Sequence, residues 1–142
     1  MRENSSSCEI AIFAEILRRL KVLFLTSRYP FPLEKGDKLR VFHLLREMSK
    51  THDVYLAAIH DRTPSEYEFR QLDPFCREIR VFPIRPFYRL LGLFRSLFTG
   101  KPFQVGYYTN SKVHRKLNKW LDEENFDVVF THMIRVAEYV RE

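Results

Sequence analysis

Residues 22–43, VLFLTSRYPFPLEKGDKLRVFH, decide how this chain folds. Val22 to Thr26 is a short, wholly apolar run of strand type, as expected of a central parallel strand covered on both faces. Pro30, Pro32 and Gly36 then exclude helix until about Asp37. From Lys38 the apolar positions Leu39, Phe42, Leu45 and Met48 keep helical spacing, with Asp37 placed to act as the N-cap. Strand, loop and helix in that order open a Rossmann-like α/β domain.

The rest of the chain repeats this alternation. Asp53 to Ile59 reads as a second strand, and a Thr-Pro-Ser turn opens a short helix from Pro64 to about Leu72. A third strand falls near Glu78 to Pro83. Phe87 to Phe98 has helical spacing with a wide apolar face bordered by Arg85, Arg89, Arg95 and Lys101, and Gly100 and Pro102 end it. Asn110 to Glu124 is a further helix with Val113, Leu117, Trp120 and Leu121 inward, and Asp127 to Thr131 a fourth strand. A last helix opens at Ile134. Strands alternating with helices predict an open, mainly parallel sheet flanked by helices. Residues 1–20 form an extension, with Ser6 and Glu9 spaced as a capping box before a short amphipathic run.

The 142 residues suit one domain, and 45% apolar residues can furnish its core. The formal net charge of +6 points to an anionic partner without choosing one. Cys8 and Cys76 stand far apart in sequence with no CxxC or Cys/His cluster, so neither a zinc site nor a disulfide scaffold is indicated. No apolar run reaches the roughly 20 residues of a spanning helix, and Glu3 and Glu9 spoil a signal peptide. The expectation is a cytoplasmic chain, at most peripheral at a membrane.

Ligands of parallel α/β sheets bind beyond the carboxyl ends of the strands. Polar clusters fall there at Ser27 to Asp37, at His60-Asp61 and at His132 to Arg135. Gly36 beside a helix start would let backbone N–H groups approach an anion, although a turn glycine with a capping aspartate explains the same pair. His132 at a strand end can serve as a base or hydrogen-bond a ligand, whereas His43, His52 and His114 read as structural or solvated. GxGxxG and GxxxxGK[ST] are absent, against ordinary dinucleotide binding and P-loop phosphoryl transfer. The Phe87 to Lys101 stretch is either core or a helix lying in an anionic membrane interface. Its aromatics share the leucine face, which weakens a nucleic-acid reading.

The run from Val22 to Asp61 with its PFPLEKGDKLR loop, then GKPFQVGYY and DVVFTHMIRVAEYV, resembles the N-terminal domain of family 4 glycosyltransferases of the GT-B fold. The likeness is to the bacterial sugar transferases of exosortase and exopolysaccharide systems, and it covers about residues 21–141. It implies the acceptor-side half of a two-domain enzyme that moves a sugar from a nucleotide-sugar to a glycan or lipid-linked acceptor, with no cofactor and no obligatory metal. It makes His132 the residue near the transferred sugar and Gly36, Asp37, Lys38, Arg40 and Arg135 ligand contacts. A lone Gly36 stands where the wider family has a glycine pair. The donor-binding domain lies outside this sequence, so transfer is expected only with a donor-domain polypeptide. The alternatives are a non-enzymatic sugar- or anion-binding module, a truncated remnant and, less so, a nucleic-acid binder.

Overall fold

The computed structural model describes residues 19–83 and 111–140, without the side chains of Ile134, Arg135 and Glu138. The expected helix at Phe87 to Phe98 and the GKPFQVGYY motif lie outside those residues, as does the expected N-terminal helix up to residue 18, and Arg19 and Leu20 are not helical.

Strands β1 (Lys21–Thr26), β2 (Asp53–His60), β3 (Glu78–Pro83) and β4 (Val128–His132) form one sheet in the order β3-β2-β1-β4. Every pairing is parallel. Helices α1 (Gly36–Met48), α2 (Glu66–Leu72) and α3 (Ser111–Glu124) alternate with the strands, and a 3-10 helix (Ile134–Tyr139) follows β4. The fold is therefore the expected Rossmann-like α/β sheet.

The apolar run of β1 divides by its period of two into both cores. Leu23 and Leu25 pack with Ala57, Ile59, Val113, Leu117 and Trp120 under α3. Val22 and Phe24 pack with Val54, Leu56, Val41, Leu45 and Leu72 under α1 and α2. A right-handed crossover puts α1 and α2 on one face as the chain moves outward from β1 to β3. The chain then returns to the other side of β1 to make β4, and α3 lies on the opposite face. β1 is accordingly central, and the sheet changes its direction of winding between β1 and β4.

Two local readings of the sequence change. The buried ridge of α1 is Val41 and Leu45, while Leu39 is 41% exposed, because a solvent-facing leucine shares the helical period of the core positions. The segment after β4 is a 3-10 turn rather than an α-helix, seating Val136 and Tyr139 in the α3-side core. α2 carries a capping box that the Thr-Pro-Ser turn alone did not announce. Glu68 N–H donates to Ser65 Oγ at 3.3 Å, and Ser65 N–H donates to Glu68 Oε2 at 2.7 Å.

Candidate functional site

The change of winding direction leaves a crevice at the carboxyl ends of β1 and β4. Its floor is Thr26 and Ser27, both buried, with Thr26 Oγ1 donating to Arg28 O at 2.8 Å. The loop beyond is pinned to α2. Tyr29 is wholly buried, its hydroxyl donates to Glu68 O at 3.2 Å, and its ring lies 5.6 Å from Phe69. Burial beside Cys76 and Glu68 pushes the phenol pKa up, so it stays a neutral donor. Phe31 meets Tyr67 edge-on at 5.8 Å.

Gly36 is not a turn glycine and Asp37 is not the N-cap. Gly36 is the first residue of α1, outside the left-handed region, and Lys35 is the N-cap with no side-chain hydrogen bond to the helix end. Lysine has no acceptor to offer, so the first N–H groups of this 13-residue helix receive no side-chain cap. A Cβ built on Gly36 would meet nothing within 4 Å. Neither backbone conformation nor crowding by the protein calls for glycine there. Asp37 lies in the first turn, where a carboxylate suits the helix dipole, and it pairs with Arg28 at 3.9 Å.

The remaining α1 candidates divide. Lys38 Nζ turns back and donates to Phe31 O at 3.4 Å. Arg40 stays exposed, one helical turn from Gly36 on the same outward ridge as His43.

Across the crevice His132 pairs in register with Thr26, as Phe130 does with Phe24, and those two rings lie 5.0 Å apart. His132 thus shares the sheet face on which α1 lies. Met133 follows with φ 76°, an uncommon conformation for an unbranched non-glycine residue, and Ser27 Oγ lies 3.9 Å from its sulfur. This turn carries the chain from β4 into the 3-10 helix. Arg135 is in that helix, and its side chain lies outside the described residues.

His60 is the residue the sequence underweighted. It ends β2, its side chain is 12% exposed, and Nδ1 is 3.2 Å from Asp61 Oδ1. Its register places it on the same face as His132, on the other flank of β1. Burial holds its pKa below the usual 6.5 against the opposing pull of Asp61. The strand-end His-Asp pair was its visible signal. His52, read as solvated, instead has a buried Nδ1 with no hydrogen-bond partner and lines a polar cavity of about 190 Å³ at the opposite end of the sheet.

The carboxyl end of the sheet therefore carries imidazoles on both flanks of β1, and the loop after β1 ends in helix N–H groups without a side-chain cap, at a glycine whose built Cβ meets nothing within 4 Å. Such a group of donors and bases suits a phosphorylated or polyhydroxyl ligand. Among the described residues no group of His, Cys, Asp and Glu could hold a metal ion, and no helix is long and apolar enough to cross a membrane. Comparison with known protein families, curated proteins and solved structures finds no match.

Proposed function

We propose that the chain is the acceptor-side half of a glycosyltransferase that moves a sugar from a nucleotide-sugar to a glycan or lipid-linked acceptor. The observation that carries this reading is the start of α1 at Gly36, at the end of the loop that follows β1, where the N-cap Lys35 provides no side-chain hydrogen bond and a built Cβ meets nothing within 4 Å among the described residues. Gly36 puts no side chain of its own between the backbone and a diphosphate, and the helix dipole favours its charge. His132, one strand away, would accept a hydrogen bond from a sugar hydroxyl or carry a proton. Arg40 and Arg135 would add charge near the phosphates, with Lys38 holding the loop over them through Phe31. The sequence likeness to family 4 enzymes supports the same roles. Donor-binding groups would come from a second domain supplied in cis or in trans.

The test is transfer from radiolabelled uridine- or guanosine-diphosphate sugars to a polyprenyl-phosphate acceptor, with a matching donor domain present. We expect turnover, and H132A should lower it by about a hundredfold or more, the usual scale of a lost acid-base group. Binding of the nucleotide-sugar without transfer would instead identify a sugar- or anion-binding module. Neither binding nor transfer removes the reading.

A further inference from the structure

The charge pattern of α3 runs against the needs of the helix itself. Lys112, Arg115, Lys116 and Lys119 occupy its first nine residues with no acid among them, and Asp122, Glu123 and Glu124 close it. The first turn holds no acidic residue and the last turn no basic one, the reverse of what the dipole favours. Spacing of three and four residues puts the four cations on one exposed ridge about 10 Å long, opposite the buried Val113, Leu117 and Trp120. Lys119 shares its charge along the helix with Glu123 at 3.6 Å.

The fold also fixes which way this ridge looks. Lys21, at the start of β1, donates to Glu124 O at 3.0 Å, so the acidic end of α3 sits at the amino ends of the strands. His114 lies 6.1 Å from Tyr139, beyond β4, so the basic end sits at the carboxyl ends with the crevice. We infer that the Lys112–Lys119 ridge docks the protein on an anionic lipid bilayer, basic end down and acidic end away, with the crevice end turned toward the membrane. A broad plane of anions matches a row of flexible cations that repels the surface at its other end. The ridge carries no exposed aromatic, and Asn118 is turned to His114 at 3.3 Å, so nothing there would stack on or read a base. The inference needs only this charge layout, and it stands or falls separately from sugar transfer.

Co-sedimentation of the full chain with vesicles tests it. Partitioning should appear when phosphatidylglycerol is added to phosphatidylcholine and should fade with salt. R115Q/K116Q should weaken it about thirtyfold, from roughly fivefold per cation, while melting no lower than the parent because a like charge leaves the helix start. K112Q/K119Q should weaken it comparably. Undiminished partitioning of both variants overturns the inference. So does equal binding to phosphatidylcholine alone, or salt-sensitive binding of duplex DNA with none to vesicles.

Discussion

At the scale of single residues, the β1 loop depends on Glu68, although it lies on α2. Its carboxylate accepts from Ser65 N–H and from Arg62 Nη1 at 2.8 Å, while its carbonyl accepts from Tyr29. The residue is 7% exposed, so a charge buried there requires those partners. The Arg62 guanidinium, more than the Ser65 contacts, holds the carboxyl pKa down near 2 from its usual 4.5. Because the folded pKa is the lower one, this stabilisation is complete above the unfolded value and is lost as pH falls toward about 2. E68Q should therefore cost about 2 kcal/mol at neutral pH, the scale of a lost charge-assisted hydrogen bond. Urea midpoints measured at neutral pH and at about pH 2 should show that cost shrinking in acid. A pH-independent cost would mean that packing of the side chain, and not its charge, fixes the loop.

At the scale of elements, α1 shows what a sequence discloses and what it hides. The apolar run of β1 was legible because a parallel strand buried on both faces has no polar alternation to blur it, whereas β3, at the sheet edge, showed instead as the alternation of Glu78 and Arg80 with Ile79 and Val81. The helix start was not: Gly36-Asp37 fits both a turn with a cap and a first helical turn, and only the backbone separates the two. The unusual φ of Met133 had no sequence signal, since methionine is not a residue that marks such a turn. His132 was legible from its place at a strand end, whereas the value of His60 depended on a sheet register that one strand cannot supply. For α1 a divided outcome follows. G36A meets no clash and no forbidden φ, so alanine should raise stability by up to about 1 kcal/mol through its better helix propensity. The added methyl would stand where a ligand approaches the backbone, and calorimetric titration should show weaker nucleotide-sugar binding. Unchanged affinity in a stabilised variant would show that the open space before Gly36 is not used.

At the scale of the whole molecule, the crevice joins parts of unequal firmness. β1 has a strand on each side, and Val22 to Leu25 are at most 2% exposed, so its amides are released only when the sheet comes apart. β4 pairs with β1 on one side only among the described residues, and Val128 and Phe130 remain 43% and 41% exposed on the α1 face. That face of β4 contributes little burial to hold it, so local opening there is less costly than global unfolding. Hydrogen exchange should therefore show β4 amides exchanging at least about tenfold faster than those of β1, a difference of 1.4 kcal/mol in opening free energy. His132 and Met133 belong to the softer side, and Gly36 to an element anchored by Val41 and Leu45. A ligand held between the start of α1 and the end of β4 would join the two, and binding raises the cost of any opening that separates its contacts. Saturating nucleotide-sugar should then slow exchange in β4 more than in β2 or β3. Slowing confined to α1 would place the ligand on the helix end alone, without His132.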